Sequence, residues 1–377
     1  MSASLYIHIP FCLSKCDYCS FCSYPDLHAL YPRYLQAMKT ALRRTADRRD
    51  NRLPLTTIFF GGGTPTVLPA EELTGLLGLV KRCFPVSADA EISCEANPGT
   101  VDQRYLEQMV AAGFNRLSLG VQSLSDPELA GLGRCHTAQQ ARATIEGARA
   151  AGFTNLSLDL MYGLVGQTLQ GWRTTLKTAL LLAPDHLSLY QLTIEEGTPL
   201  AARAIARGLV LPDEETIVAM DRLNRVLCAR SGLKLYEISN FAKPGWHCRH
   251  NLNYWQNGEY LAVGAGAVSY LAGVREKRSD DPEGYCRLLE AGGDGVVERE
   301  KLDREASFRE TVVIGLRMAQ GVHRATLQTR FGLDPATSYG PVLGRLQENG
   351  LVELTSTHLR LTTRGRRYAN LVMAELV

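Results

Sequence analysis

Residues 4–22 read SLYIHIPFCLSKCDYCSFC. The run SLYIHI (4–9) has the apolar, β-branched and aromatic character of a strand, and Pro10 closes it. Cys12, Cys16 and Cys19 follow at once in a C-x-x-x-C-x-x-C spacing, with Cys22 three residues later. Thiolates are soft ligands suited to iron–sulfur clusters and zinc. Three cysteines in one tight loop can hold three irons of a [4Fe–4S] cubane and leave the fourth iron open to a cofactor or substrate. Electron-transfer clusters use four cysteines. A zinc site would take all four thiols, but zinc modules usually pair two C-x-x-C elements at a distance, and no second pair occurs downstream.

Outward from this stretch, strand-like runs alternate with longer helical patterns. The strands are 4–9, 56–60, 90–95, 115–121, 155–161 and 186–192, and the helices 29–48, 70–83, 102–112, 137–150 and 168–182. This alternation implies parallel strands joined by right-handed crossovers. The expectation is an α/β fold, a partial β/α barrel of about six units. Such barrels carry function at the C-terminal ends of their strands. The unusual residues fall there: Gly61-Gly62-Gly63-Thr64-Pro65, Glu95 with Asn97 and Pro98, Gln122, and Asp159 with Tyr162-Gly163.

Past residue 200 the alternation loosens. A helix is expected over 213–231, followed by LKLYEISNFAKPGWHCRHNLNYW and LAVGAGAVSYL. REKRSDDPEG (275–284) reads as a polar surface connection. Helices are expected over 283–292 and 303–319, and residues 323–377 have the order of a small winged-helix module. The division is therefore 1–275, a barrel carrying the sites, and 276–377, a smaller, mostly helical, winged-helix-like domain.

Composition excludes several classes. Of 377 residues, 45% are apolar and 21% charged, and the net charge is +2. Near-neutral charge gives no basis for binding nucleic acid, and Arg360, Arg364, Arg366 and Arg367 are too small a basic group for a DNA reader. No apolar run is long enough to span a membrane and no signal peptide is visible, so the chain reads as cytoplasmic. Ten cysteines in that setting point to metal or reduced thiols rather than disulfides.

YIHIPFCLSKCDYCSF resembles the radical S-adenosylmethionine superfamily, and within it the branch of oxygen-independent coproporphyrinogen oxidases and HemW haem chaperones. The resemblance covers nearly the whole chain. It implies that Cys12, Cys16 and Cys19 ligate a [4Fe–4S] cluster whose open iron takes the amino and carboxylate groups of S-adenosylmethionine. Reductive cleavage would then give a 5′-deoxyadenosyl radical, with an electron donor serving the cluster. Tyr6 would sit by the sulfonium and Tyr18 by the adenine. Gly62, Gly63 and Thr64 would let the backbone approach the cofactor amino group. Glu95, Gln122, Arg134 and Asp159 would supply polar contacts, Arg134 to the methionine carboxylate and Asp159 to a ribose hydroxyl.

Two features separate the branches. The oxidases have C-x-x-x-C-x-x-C-x-C, whereas Phe21 stands at the fourth position here, and they carry an N-terminal extension for which no room precedes Cys12. RHNLNYW (249–255) resembles the H-N-x-x-Y-W motif of the chaperones. It implies His250 as an axial ligand to haem, Tyr254 and Trp255 as flat faces, and Arg249 as a propionate partner; His247 and Cys248 are alternative ligands. Where relatives have histidine in a GAGA-H-S segment, this chain has Val268. The reading is a haem chaperone with haem as cargo and apo-haemoproteins, such as respiratory enzymes, as recipients. It leaves room for peripheral contact with membrane proteins and implies a monomer or a cluster-dependent homodimer. The alternatives are oxidative decarboxylation of coproporphyrinogen III, or a radical enzyme acting on haem.

Overall fold

The structure, a computed structural model, describes residues 3–48 and 54–377. Six parallel strands form its frame: β1 (Ala3–Ile9), β2 (Leu55–Gly62), β3 (Val86–Ala96), β4 (Arg116–Gln122), β5 (Asn155–Tyr162) and β6 (His186–Gln191). They pair in chain order. The crossover helices are α1 (Tyr31–Asp47), α2 (Ala70–Cys83), α3 (Gln103–Ala112), α4 (Asp126–Gly131), α5 (Ala138–Ala151) and α6 (Leu169–Leu181). Local chemistry starts several of them. Asp102 accepts from the Tyr105 N–H at 2.8 Å, Thr137 and Gln140 form a reciprocal capping box, and Thr168 caps α6.

The strands alternate in character. In β4, Leu117, Leu119 and Val121 are fully buried beneath the helices, while Arg116, Ser118, Gly120 and Gln122 face the other way. The same alternation runs through Glu91, Ser93 and Glu95 in β3, Ser157 and Asp159 in β5, and His186 and Ser188 in β6. Strands of parallel sheets are usually apolar on both faces. Here one face packs the core and the other lines a polar lumen.

Four helices and six further strands follow. They are α7 (Pro199–Arg207), α8 (Glu214–Arg230), β7 (Lys234–Leu235), β8 (Asn240–Ala242), α9 (Arg249–Trp255), β9 (Tyr260–Val263), β10 (Val268–Leu271), β11 (Val274–Arg278), α10 (Pro282–Glu290) and β12 (Val296–Lys301). β9 returns to pair in parallel with the free side of β1, and β10–β12 extend the sheet beyond it in antiparallel fashion. The first four residues of the segment read as a surface connection, 275–278, belong to β11. It escaped the reading because ion pairs rather than apolar residues decorate it: Arg275 meets Glu300 and Glu310, and Glu276 meets Arg299. A cut at 275/276 would split this strand. The first core still holds Tyr285, Cys286 and Leu289, and a second core opens at Phe308. We propose a domain boundary between Lys301 and Arg304.

The final module has a three-stranded sheet, Val322–His323, Val352–Leu354 and His358–Leu361, with helices at Arg304–Gly315, Arg324–Phe331 and Pro335–Glu348. Two of its basic residues are engaged: Arg360 pairs with Glu353 within the module at 2.9 Å, and Arg367 reaches Asp221 of α8 at 3.8 Å. The module braces the end of α9. Arg330 donates to the carbonyls of Gln256 and Asn257, and the Arg317 guanidinium lies 4.4 Å from the Trp255 ring centroid. No helix among the described residues is long and apolar enough to cross a membrane.

Candidate functional site

At the C-terminal ends of the strands lies a 460 Å³ pocket. Cys12, Cys16 and Cys19 line it, together with Tyr18, Gly62, Gly63, Thr64, Glu95, Gln122, Arg134 and Asp159. These are eleven of the thirteen residues singled out from the sequence; Tyr6 and His250 line a smaller chamber of 260 Å³ below. Glu95, Ser118, Asp159 and Tyr190 line both spaces, so the two adjoin.

The cysteine loop is held by the end of β2. The Gly63 N–H donates to Ile9 O at 2.9 Å and the Thr64 N–H to Phe11 O at 2.8 Å. A Cβ on Gly63 would lie 2.5 Å from Phe11 O and 2.9 Å from Cys12 Sγ. Gly62 has φ +123°, and a Cβ there would strike the His8 ring at 2.8 Å. The glycines therefore admit the cysteine loop itself. Thr64, buried, accepts from Asn97 Nδ2 at 2.7 Å and stands 3.7 Å from Cys12 Sγ. Cys22 turns away: its thiol donates to Asp280 O at 3.5 Å and packs on the Gly266 turn. Among the described residues no three His, Cys, Asp or Glu side chains converge on one metal ion. Thiolates that each hold a different iron of a cubane have no need to converge.

Arg134 organises the opposite wall. Nη1 donates to Cys16 Sγ at 3.3 Å, and Nη2 donates to Asn97 Oδ1 at 2.5 Å and Gly120 O at 2.6 Å. The β4–β5 register breaks between Leu119 and Gln122, and Gln122 sits at φ +63°. This local bulge places the Gly120 carbonyl where Arg134 reaches it. Arg134 Nε remains buried without a hydrogen-bond partner, so one donor is still open to a ligand carboxylate.

Two carboxyl groups stand deeper. Glu95 accepts from the Gly62 N–H at 3.2 Å, and burial, with the nearby Asp159 charge, pushes it up to about 7. Burial likewise raises Asp159, although Ser188, Arg116, Ser118 and Ser157 oppose this. The residues fit the groups expected here: soft thiols on one wall, an unpaired guanidinium N–H on the other, and carboxyls below.

The chamber places His250 differently from an exposed ligand. It is 1% exposed, with Nδ1 2.7 Å from Thr57 Oγ1 and Nε2 2.9 Å from Tyr254 OH, and its ring stacks on Phe59. Burial, then the Arg116 charge, lowers its pKa to about 3. To ligate iron it would have to release one of these bonds. Arg249 is engaged with Asp89, and the Trp255 face is covered by Arg317. Val268 opens β10, away from the lining of either space.

Among the lining residues to which the sequence assigns no role, four stand out. Asn97 bridges Thr64 and Arg134. Arg116 is a buried cation of the chamber. Tyr190 lines both spaces, and Cys135, exposed, lines the outer pocket with its thiol 2.9 Å from Ser14 Oγ. The period-2 polar face of β4 was the available signal for Arg116; nothing local marks Cys135.

Residues 6–179 match the Radical SAM superfamily model and residues 302–368 the HemN C-terminal domain model. The Heme chaperone HemW of Bacillus subtilis (strain 168) is 36% identical over 368 residues, covering 97% of each chain. That of Escherichia coli (strain K12) is 40% identical over 303 residues, covering 77% of this chain and 78% of the relative. The chain belongs to the HemW family of the radical SAM superfamily. Membership implies a [4Fe–4S] cluster and S-adenosylmethionine, which is what the outer pocket fits. Among solved structures, the coproporphyrinogen III oxidase HemN from Escherichia coli superposes with a TM-score of 0.86, at 24% identity, over 100% of this chain and 90% of that one. This likeness shows the shared fold, an α/β radical SAM sheet with a helical C-terminal region.

Proposed function

We propose that this chain is a haem chaperone: it binds haem beside its cluster site and hands it to apo-haemoproteins. The observation that carries the reading is where RHNLNYW lies. His250, Asn251 and Tyr254 line the chamber directly below the cluster pocket, so the segment that sets the chaperone branch apart faces the cofactor space. Phe21, in place of a thiol, is 70% exposed at the pocket rim, and Leu13 beside it is 55% exposed. Two exposed apolar side chains at a pocket mouth favour a flat apolar cargo. The relatives' name, heme chaperone, supports the same cargo.

When bound, the cluster and S-adenosylmethionine supply one-electron and radical chemistry. Cys12, Cys16 and Cys19 hold the cluster. Arg134 orients Cys16 and offers Nε to the methionine carboxylate. Glu95 and Asp159 receive the amino and ribose groups, and Tyr18 closes the adenine side. Tyr6, stacked on Phe59, lines the chamber. His250, with Nε2 on the Tyr254 hydroxyl, holds the wall of the chamber below.

The test is anaerobic reconstitution with reductant and S-adenosylmethionine, offering haem or coproporphyrinogen III. Stable haem binding without porphyrinogen turnover, and transfer to an apo-cytochrome, is the expected result. Formation of protoporphyrinogen would defeat the chaperone reading.

A further inference from the structure

The inner chamber contains a cation that the cluster site does not use. Arg116 is 2% exposed, lines the chamber, and keeps its Nε buried without a hydrogen-bond partner. The neighbouring carboxylates are engaged elsewhere. Glu91 accepts from the backbone N–H groups of Arg249 at 2.9 Å and His250 at 3.1 Å, capping α9. Asp159 accepts from Ser118 at 3.2 Å on either oxygen. Both act on Arg116 through space. A buried donor left unmade costs about 1–3 kcal/mol, and more when charged. A guanidinium fork is matched best by the two oxygens of a carboxylate or phosphate.

The other walls suit a carboxylate arm. The Tyr190 hydroxyl and the Asn251 amide face the same space and are able to donate, while the Ser118 and Ser188 hydroxyls there are committed to Asp159. Burial shifts Glu95 and Asp159 towards their neutral acids, which reduces their repulsion of an incoming anion. The chamber's 260 Å³ falls below the ~300–1,000 Å³ that encloses a whole drug-sized ligand. It therefore admits a side arm or a small acid, but no macrocycle. The chamber adjoins the outer pocket across Glu95, Ser118, Asp159 and Tyr190, the side from which an arm of a ligand seated above would reach it.

We propose that the chamber is a carboxylate subsite anchored by Arg116, and that it takes a propionate arm of the tetrapyrrole. The inference rests on the haem reading above. It assigns the Asn251–Tyr254 side of α9 to the wall of the arm's socket. It also assigns Arg116, at the start of β4, to selecting a free acid over an ester.

The test uses the full chain with its cluster reconstituted anaerobically, titrated by absorbance with haem and with haem dimethyl ester. Wild type is expected to favour haem by about tenfold or more, as a charge-assisted hydrogen bond implies. In Arg116→Met the two affinities should become equal, with that for the diester little changed. Arg116→Lys, which keeps the charge, should retain part of the preference, and iron content per chain reports whether each variant folds. A preference of wild-type size in Arg116→Met would overturn Arg116 as the anchor. Equal affinities in wild type would overturn the tetrapyrrole arm. Sodium propionate is the second probe. If it protects wild type but not Arg116→Met against thermal unfolding, the subsite stands; no protection together with no haem preference refutes it. Wild type that binds neither haem nor its diester defeats the haem reading, and the propionate arm then decides the subsite by itself.

Discussion

Replacing Gly63 by alanine places a methyl group inside the junction between β2 and the cysteine loop. Its Cβ would lie 2.5 Å from Phe11 O, 2.9 Å from Phe11 C and 2.9 Å from Cys12 Sγ, where ordinary contact begins near 3.4 Å. Two of these three atoms are backbone and cannot rotate aside, so the loop must retreat. Gly63 is not among the residues with positive φ, which leaves sterics as the whole penalty. Overpacking of this kind costs about 1–3 kcal/mol. The retreat also stretches the 2.8 Å bond from Thr64 N to Phe11 O, worth about 1 kcal/mol more. The expected outcome is a loss of about 2–4 kcal/mol together with reduced cluster occupancy, because Cys12 itself is displaced. Gly75, within α2, is the control: a Cβ there meets nothing within 4 Å, so Gly75→Ala should stabilise by up to about 1 kcal/mol. Iron and sulfide per chain and denaturant unfolding, run on both variants, make the comparison. Gly63→Ala with full iron content and a wild-type midpoint would refute the reasoning.

Arg134→Met removes a cation and an N–H···S bond from Cys16, so the cluster's reduction potential should fall, by about 59 mV for a tenfold weaker one-electron reduction; an unchanged potential in a redox titration followed by electron paramagnetic resonance would contradict this. Glu95, raised from 4.5 to about 7, contributes stability that is fully present below its unfolded value and lost as pH rises through 7. Glu95→Gln should therefore flatten the fall in stability between pH 5 and 8, on the order of 3 kcal/mol, and unfolding curves across that range with the wild-type slope would sink the assignment. His250→Ala should cost about 2–4 kcal/mol, since it opens a cavity and leaves Thr57 and Tyr254 without their partner; an unaltered denaturation midpoint would mean that these bonds are not formed in solution.

Much of the site could be read in advance because it is built from strand ends. A parallel β/α frame brings the end of every strand to one rim, so Cys12, Gly63, Glu95, Gln122 and Asp159 meet although more than a hundred residues separate the first from the last. Cysteine spacing is likewise a local property, and it carried the cluster assignment without any tertiary information. Local patterning could not say what each polar group faces once the frame closes. Arg134 was legible as a cation near the site, but its bond to Cys16 depends on the bulge that presents the Gly120 carbonyl. His250 was legible as part of a motif, yet its bond to Thr57 exists only because α9 packs against β2. Phe21 and the first strand were decided by the sequence alone. The partition into an outer pocket and an inner chamber, with Arg116 facing the inner one, was decided only by the tertiary structure, because burial and pairing are relations between strands that no single strand contains.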